Sequence, residues 1–294
     1  MKFLESGILL INKPVNWTSS DVIRKIKSKN QFRKIGHAGT LDPLATGILP
    51  ILLNDSTRYF NYFQNFKKSY LAEIKFGLST STYDLEGEVE ETTDKIPDDL
   101  SSINEKIPNF LGSIKQIPPI YSAIKKNGKR LYDYARNNEN IDLEPRTVNV
   151  SEIKIISWES PNLKLIIKCS SGFYVRSFAY DLAKSLNSLG VLVKLSRISY
   201  GPFVIKDASN LNNFEEIMKN LISTETIFDK NKKLIFDKDL EKEYYQGKVF
   251  SSENLSLNLL NNEEIKIYNL SNKFIGLLTF DNSKKFWKPK NIIK

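Results

Sequence analysis

The stretch GHAGTLDPLATGILP, residues 36–50, places two chemically capable side chains in a tightly constrained loop. It holds His37, the single histidine of the chain, and Asp42, which immediately precedes a proline. A residue before proline is pushed toward extended backbone angles, so the Asp42 carboxylate has a defined direction. Such a carboxylate can attack an electron-poor carbon or abstract a proton beside it. An arbitrary Asp-Pro pair is more often an Asx-type turn, in which the carboxylate only accepts backbone N–H groups.

Other reaction types are limited by the residues that the sequence contains. One cysteine, Cys169, excludes an intramolecular disulfide, and one cysteine with one histidine cannot build the usual zinc sites. Magnesium stays possible, because it needs only one or two carboxylates. The sequence has no GxxxxGK[ST] phosphate loop and no GxSxG nucleophile elbow, so His37 has no such serine to serve.

The charge of the chain favours a polyanionic partner. The formal net charge is +9, and the isoelectric point is about 9.3. Residues 24–34, RKIKSKNQFRK, hold six Lys or Arg and no acid, which by itself is typical of a solvated helix face. Residues 125–136, KKNGKRLYDYAR, interleave basic and aromatic side chains around an Asn-Gly turn signal, which suits phosphate contacts and base stacking. The two clusters together favour RNA.

The elements that must position these residues alternate without the regular strand–helix order of a doubly wound fold. Hydrophobic patterns predict strands at 7–11, 48–53, 70–77, 147–156 and 163–169, and helices at about 20–29, 55–65, 99–111, 129–137 and 176–189. Thr18 and Asp21 have capping-box spacing before the first helix. Arg176 is near the start of the last helix, where the helix dipole disfavours a cation, so a carboxylate or phosphate partner is expected.

The domain organisation follows from length and from a change of pattern. A chain of 294 residues and 33.8 kDa suggests one large domain plus a smaller one. Beyond about residue 228, short apolar runs alternate with Asn, Ser and Glu, so we expect a large domain at 1–228 and a small β-rich module at 229–294. No apolar run is long enough to span a membrane and no export signal is visible, which predicts a cytoplasmic protein.

Five segments together resemble a known family. They are GILLINKPVNWTSSDVI, GHAGTLDPLATGILP, KKSYLAEIKFG, QIPPIYSAIKKNGKRLYDYAR and SSGFYVRSFAYDLAKSL. Their order and approximate spacing, over roughly residues 7–205, are those of the bacterial tRNA pseudouridine synthase B family. The resemblance implies an α+β pseudouridine synthase fold with a mixed, largely antiparallel central sheet flanked by helices, followed by a small PUA-like RNA-binding module.

The resemblance also implies a reaction and a substrate. Uridine 55 in the T loop of tRNA would be isomerised to pseudouridine. In this reaction the bond from ribose to N1 of uracil is broken, and a bond from ribose to C5 replaces it. A uridine stacked in a folded loop must first be flipped out, at an unstacking cost of a few kcal/mol. The implied reaction involves no redox change and no external group, so no cofactor and no metal are expected.

Particular residues match functional positions of the family. Asp42 matches the catalytic aspartate, which reverses the expectation of a mere Asx turn, and Arg176 matches the arginine that pairs with it. The residues that would contact the target nucleotide are His37, Tyr70, Tyr174 and Leu195. Residues 125–146 correspond to an RNA-gripping insertion. Its basic residues, which we expect to contact the RNA backbone, are Lys125, Lys126, Lys129 and Arg130.

The sequence departs from the family pattern at three positions, and two alternative functions stay open. Ser81, Asn138 and Ser196 stand where an acid, a glycine and an arginine are common, which concerns RNA affinity rather than chemistry. One alternative is a related synthase that acts on another RNA within a guide-RNA complex. The other is an RNA chaperone that refolds tRNA without chemistry. The absence of an obvious self-association stripe predicts a monomer.

Overall fold

The computed structural model describes residues 5–29, 31–137, 139, 141–255, 257 and 264–293. Its α-helices are α1 Ser19–Lys27, α2 Phe60–Gln64, α3 Leu100–Lys106, α4 Leu131–Arg136, α5 Val175–Ser185, α6 Phe214–Lys219 and α7 Lys238–Tyr245. Its first strands are β1 Gly7–Lys13, β2 Ile35–His37, β3 Ala45–Leu53, β4 Lys68–Phe76, β5 Leu78–Thr80, β6 Val89–Thr92, β7 Gly112–Gln116, β8 Lys125–Lys126 and β9 Lys129–Arg130. The later strands are β10 Arg146–Glu159, β11 Asn162–Cys169, β12 Gly190–Tyr200, β13 Phe203–Val204, β14 Lys233–Ile235, β15 Glu264–Tyr268, β16 Phe274–Asp281 and β17 Phe286–Lys290. Short 3-10 helices are Asn54–Tyr59, Ile107–Phe110, Ile205–Asp207 and Thr224–Phe228.

A nine-stranded sheet forms the larger part of the molecule. Its strand order is β1-β3-β12-β4-β11-β10-β7, with β2 added beside β3 and β13 beside β12. In this part of the described chain, β12 runs parallel to β3, and the other pairings are antiparallel. The expected α+β class with a mixed, largely antiparallel sheet is therefore confirmed.

Strand β4 lies inside this sheet, between β12 and β11. Since successive side chains of a strand point to opposite faces, Lys68 and Tyr70 share one face of the sheet. Both side chains are buried. Strand β12 joins β4 to β3, which follows the loop that carries Asp42. The residues of three distant segments therefore meet at the β3–β12–β4 seam.

Helix α1 begins as its sequence predicts. The Thr18 hydroxyl accepts the backbone N–H of Asp21, and the Asp21 carboxylate accepts the backbone N–H of Thr18, which forms a capping box. Val22 and Ile26 are buried in the main core, while the basic residues of its last turn stay at the surface. The helix ends at Lys27, two residues before the predicted end.

The C-terminal part of the described chain contains a second sheet, in the order β14-β15-β16-β17. Its own core includes Phe236, Tyr244 and Trp287. A separate cluster joins it to the larger part of the molecule, because Tyr59 and Phe228 pack with Leu277 and other residues of the second sheet. The β-rich character of this region is confirmed, and the division of the chain near residue 228 stays a prediction.

Two expectations about secondary structure need correction. Residues 129–137 are not one helix, because Lys129 and Arg130 pair with β8 in a hairpin and α4 starts only at Leu131. The last predicted helix ends at Ser185 rather than 189, and β12 then begins at Gly190. Strand β12, central to the sheet, is absent from the sequence-based prediction. Among the described residues, no helix combines the length and apolar character needed to cross a membrane.

The close approach of β3 and β12 generates a stability prediction. Gly47 has φ of 101°, and a Cβ atom there would lie 2.3 Å from the Arg197 carbonyl oxygen. We expect Gly47→Ala to lower the free energy of unfolding by about 3 kcal/mol or more, because backbone strain and a backbone clash add. Urea denaturation followed by circular dichroism measures this change.

Gly128→Ala is the matched control for that measurement. Gly128 has φ of 82°, but a Cβ atom there would meet nothing within 4 Å. We expect Gly128→Ala to lower the free energy of unfolding by about 1 kcal/mol, which is the cost of a positive φ alone. Equal losses in the two variants would contradict the importance of the close approach.

Candidate active site

The loop that carries Asp42 connects β2 to β3, and its backbone is held by neighbouring groups. The Ser19 hydroxyl, at the start of α1, accepts the N–H of Leu41 at 2.9 Å and donates to the Leu41 carbonyl at 3.2 Å. The N–H of Asn16 donates to the Pro43 carbonyl at 2.8 Å, and the N–H of Ala45 donates to the Asp42 carbonyl at 3.0 Å. The loop therefore has a defined conformation on both sides of Asp42.

Two buried cations complete the support of this loop. The Arg197 guanidinium donates to the carbonyls of Gly39, Thr40 and Ile48 at 3.2, 3.5 and 2.8 Å. The Lys13 ammonium donates to the Pro43 carbonyl at 3.1 Å, and burial lowers the pKa of Lys13 to about 8. Arg197 thus supplies donors to three carbonyls of this region, and Lys13 adds a second donor to the Pro43 carbonyl, which also accepts the N–H of Asn16.

Arg176, the second residue of α5, makes an ion pair with Asp42. Its Nε lies 2.9 Å from Oδ2 of Asp42, although the N–H is not aligned for a hydrogen bond. Its terminal nitrogens donate to the carbonyls of Tyr121 at 2.9 Å and Thr82 at 3.2 Å, which fix the guanidinium. Arg176 is 5% exposed and Asp42 is 34% exposed. The carboxylate is therefore oriented from inside while one side of it remains accessible.

Two further carboxyl groups lie near this ion pair. Oδ2 of Asp84 is 3.5 Å from Nε of Arg176, and burial raises the pKa of Asp84. Burial also raises the pKa of Glu86, and the negative charges of Asp84 and Asp42 raise it further. Asp84 is fixed locally, since it accepts the Thr82 hydroxyl and the N–H of Glu86. Arg176 is thus the common positive charge of an acidic cluster.

A cavity of about 280 Å³ opens beside Asp42, and we call it the Tyr70 cavity. Five of the residues predicted from the sequence line it: Asp42, Tyr70, Tyr174, Arg176 and Leu195. Burial raises the pKa values of Tyr70 and Tyr174, so both phenols are uncharged at neutral pH. The backbone of Tyr174 is fixed by Gln116, which accepts its N–H and donates to its carbonyl. The cavity therefore combines aromatic and apolar walls with one carboxylate and three buried cations, Lys68, Arg176 and Arg197.

A second cavity, of about 360 Å³, adjoins the Tyr70 cavity at the ion pair and is lined by His37, so we call it the His37 cavity. It shares Asp42 and Arg176 with the Tyr70 cavity. Burial and the charge of Arg197 lower the pKa of His37, which makes its imidazole neutral at pH 7. Its Nδ1 has no hydrogen-bond partner among the described residues. His37 is thus near Asp42 but outside the Tyr70 cavity.

The basic residues of the hairpin β8–β9 are only partly brought to the site. Arg130 lines the His37 cavity, together with Tyr132 and Arg136. Lys125, Lys126 and Lys129 do not line either cavity in the described structure. Lys126 pairs with Glu144 and Lys129 with Glu139, so these two lysines already have carboxylate partners.

Two of the three departures from the family pattern can be compared with the cavities. Ser81 and Ser196 line neither of the two cavities. Asn138 is outside the described residues.

Several residues of the site were not predicted from the sequence. Arg197, Lys13 and Gln116 act through backbone contacts over long sequence distances, and no local signal marks them. Lys68 could have been found, since a lysine two positions before Tyr70 shares its face of an otherwise apolar strand. Ser122, which lines both cavities, lies in an irregular segment with no periodicity.

Two solved structures share the fold of this chain. A chain in the structure of an H/ACA RNP bound to a substrate RNA containing 2′-deoxyuridine aligns with a TM-score of 0.69 at 18% identity, covering 98% of this chain and 84% of that one. A chain of a Cbf5-Nop10-Gar1 complex aligns with a TM-score of 0.70 at 20% identity, with the same coverages. This chain therefore shares its fold with those two chains over almost its whole length.

Sequence comparisons identify the family to which the chain belongs. Residues 25–175 match the model of the TruB family pseudouridylate synthase (N terminal domain). A tRNA pseudouridine synthase B of Ureaplasma urealyticum serovar 10 is 43% identical over 223 residues, which is 75% of this chain and 97% of that protein. One of Clostridium acetobutylicum is 36% identical over 273 residues, 92% of this chain and 94% of that protein. The chain belongs to the TruB family of pseudouridine synthases.

The support of the loop by Arg197 generates a second stability prediction. A lysine at this position keeps the charge but cannot reach three carbonyls with a planar fork. We expect Arg197→Lys to lower the free energy of unfolding by about 2–4 kcal/mol, since a buried guanidinium and the carbonyls it binds lose their hydrogen bonds. Urea denaturation measures the loss.

Arg24→Lys serves as the control, because Arg24 is an exposed arginine of α1. Its effect should stay within about 0.5 kcal/mol. If Arg197→Lys were equally mild, the guanidinium would not be what holds the loop.

Proposed function

We propose that the protein isomerises uridine 55 in the T loop of tRNA to pseudouridine, with Asp42 as the catalytic residue. The observation that carries the proposal is the Asp42–Arg176 ion pair at the edge of the Tyr70 cavity. The relatives at 35–43% identity are named tRNA pseudouridine synthase B, and they align with most of this chain. A cavity that combines one accessible carboxylate with neutral aromatic walls and buried cations suits an uncharged base and its ribose.

The reaction exchanges one bond between ribose and uracil for another. The bond from C1′ to N1 breaks, the base turns within the cavity, and C5 bonds to C1′ in place of N1. Asp42 acts either as a nucleophile toward an electron-poor carbon or as a base for a neighbouring proton, and it is regenerated at the end. Arg176 orients the carboxylate throughout, because its other nitrogens are fixed by backbone carbonyls.

The walls of the cavity bind the base after it has left the RNA stack. Tyr70 stacks on the uracil, while Tyr174 and Leu195 enclose it. The tyrosines remain uncharged, so they stack without adding negative charge beside Asp42. His37 contacts the nucleotide from the neighbouring cavity, and its neutral imidazole offers a donor and an acceptor. These contacts offset the cost of unstacking.

The hairpin β8–β9 and α4 grip the RNA backbone. Arg130 is placed closest to the chemistry, since it lines the His37 cavity. Lys125 is exposed and makes no ion pair in the described part of the chain. Lys126 and Lys129 must give up their carboxylate partners before they can bind phosphate. We therefore assign the larger share of phosphate binding to Lys125 and Arg130.

The proposed working form is a monomer that meets tRNA in the cytoplasm. The Asp42–Arg176 pair and the residues lining both cavities come from one chain, so the site needs no second copy. Sedimentation equilibrium should give a mass close to 33.8 kDa. A stable dimer would contradict the monomer.

The decisive test of the proposal is Asp42→Asn. We expect the purified wild type to form pseudouridine at position 55 of an unmodified tRNA transcript, and the variant to form none, because the amide is neither a nucleophile nor a base. Pseudouridine is mapped at single-nucleotide resolution. Asp98→Asn, at an exposed aspartate of a polar connection, is the control and should retain full activity.

Other outcomes would be equally informative. If the wild type bound tRNA tightly but formed no pseudouridine, the catalytic assignment would be wrong and the chaperone alternative would be favoured. Pseudouridine at another position would overturn the substrate assignment while leaving the chemistry intact.

The assignment of phosphate contacts predicts a difference between two double variants. Lys125→Gln with Arg130→Gln should weaken tRNA binding about tenfold and reduce the slope of log K against log salt by about 1–2. Lys126→Gln with Lys129→Gln removes the same charge from the same hairpin but should weaken binding less, since these lysines are already paired. Filter binding at several salt concentrations checks both. Equal losses would refute the assignment.

A further inference from the structure

Lys68 is a buried cation in the Tyr70 cavity that the mechanism above does not use. It is the first residue of β4, is only 6% exposed, and lines the cavity together with Asp42 and Tyr70. Lys68 and Tyr70 leave β4 on the same face of the sheet. The ammonium is therefore on the same side as the ring that stacks on the base in the proposed function.

No anion is paired with the Lys68 ammonium among the described residues. Its Nζ lies 4.7 Å from the centre of the Tyr200 ring. The other charged or titratable groups that act on it are the Arg197 guanidinium on β12 and the Cys169 thiol on β11. Burial raises the pKa of Cys169 to about 12, so this thiol is neutral, and Arg197 repels the ammonium. A buried charge in this position lacks the partner that such charges normally have.

Fold stability does not explain why a lysine is present. Burial and Arg197 lower the pKa of Lys68 from 10.5 to about 8. The group remains protonated at pH 7, but the folded protein disfavours its charge relative to the unfolded chain, in which the pKa is higher. Lys68 therefore lowers stability at neutral pH. An oxygen of a bound ligand would supply the missing partner.

We propose that the Lys68 ammonium contacts a carbonyl oxygen of the flipped uracil and stabilises the negative charge that the base acquires when its glycosidic bond breaks. This inference rests on the proposed function of the same cavity. It makes Lys68 a catalytic residue in addition to Asp42.

The depth of Lys68 favours the base over a backbone phosphate as its partner. A nucleotide flipped into a pocket has its base deepest, while its phosphates stay with the RNA at the mouth. The walls around Lys68 include the buried side chains of Tyr70, Tyr200 and Leu195. Basic side chains that suit phosphate, such as Arg130, are instead half or fully exposed on the hairpin.

The base carries extra negative charge during the reaction, and a cation beside its carbonyl oxygens stabilises that charge. When C1′–N1 breaks, its electron pair stays with the uracil, and the charge spreads over N1, O2 and O4. If Asp42 first adds to a ring carbon of the base, the displaced electron pair also moves toward a carbonyl oxygen, and it returns to the ring when the bond to Asp42 breaks and the carboxylate leaves. After rotation, C5 supplies the pair for the new bond to C1′, the C5 proton leaves, and N1 takes up a proton. Lys68 stabilises the charge in either route and transfers no proton.

The test compares three variants under single-turnover conditions at pH 7 with tRNA transcript. Lys68→Met keeps the length of the side chain and removes the charge. We expect its rate constant at saturating enzyme to fall roughly 100-fold, as for loss of one oxyanion donor. Its tRNA dissociation constant should change less than about threefold, and its Tm should be equal or higher, because a buried charge is replaced by an apolar chain.

Two further variants separate a catalytic role from a structural one. The rate constant of Lys68→Arg should be at least about tenfold higher than that of Lys68→Met, since arginine restores the cation. Lys67→Met removes the charge of the exposed neighbouring lysine and should retain the wild-type rate. Wild type and Asp42→Asn are measured alongside. If the wild type forms no pseudouridine, the proposed function fails; if it does and Asp42→Asn does not, the Lys68 variants test Lys68 alone.

Each other outcome overturns the inference. A Lys68→Met protein with the wild-type rate would show that the charge has no part in catalysis. A large rise in the dissociation constant with an unchanged rate constant would place a phosphate, not the base, against Lys68. Loss of Tm in both Lys68→Met and Lys68→Arg would reduce the residue to a packing role.

Discussion

The carbonyl groups of the loop around Asp42 need donors, and the rest of the site depends on how they find them. Arg197 and Lys13 reach these carbonyls from β12 and β1, the strands on either side of β3. Each cation is buried, and each is held by oxygen atoms of the backbone rather than by a carboxylate of its own. The Asp42 carboxylate is therefore left for Arg176. A loop held in this way can present an acidic group at a fixed angle without being part of a regular element.

The sheet topology explains why this loop faces a cavity. Because β12 runs between β3 and β4, it brings the Asp42 loop beside the strand that carries Tyr70. Leu195 lies on β12 itself, and α5 contributes Arg176 from the segment that follows β11. The aromatic walls come from β4, from the residues just before α5 and from Tyr200 at the end of β12. The ion pair and these walls are neighbours because the β3–β12–β4 seam brings their segments together.

The sequence predicts the local features of this structure better than the long-range ones. The capping box of α1, the strand that carries Tyr70 and the helix that carries Arg176 are visible because their signals lie within a few residues. The resemblance of the motifs adds the pairing of Asp42 with Arg176, and the two side chains form an ion pair in the structure. Strand β12 escapes because GVLVKLSRISY mixes polar and apolar residues across two register shifts, so its periodicity is broken. The roles of Arg197 and Gln116 escape because their partners lie far away along the chain. Neither residue type nor spacing reveals which carbonyl a buried side chain will meet.

The second sheet has a consequence for the order in which the protein is completed. Arg58 and Tyr59 donate to the carbonyls of Ile292 and Asn291, and Tyr62 donates to Glu264. Tyr59 and Asn291 are separated by 232 positions. The segment 58–64 leads directly into β4 and ends at Gln64, which lines the Tyr70 cavity. During synthesis, this wall of the cavity emerges early from the ribosome but receives its final contacts only after residue 292 has been added. The residues that line the cavity lie between 39 and 200, so what the C-terminal strands add last is the packing behind one wall rather than the wall itself.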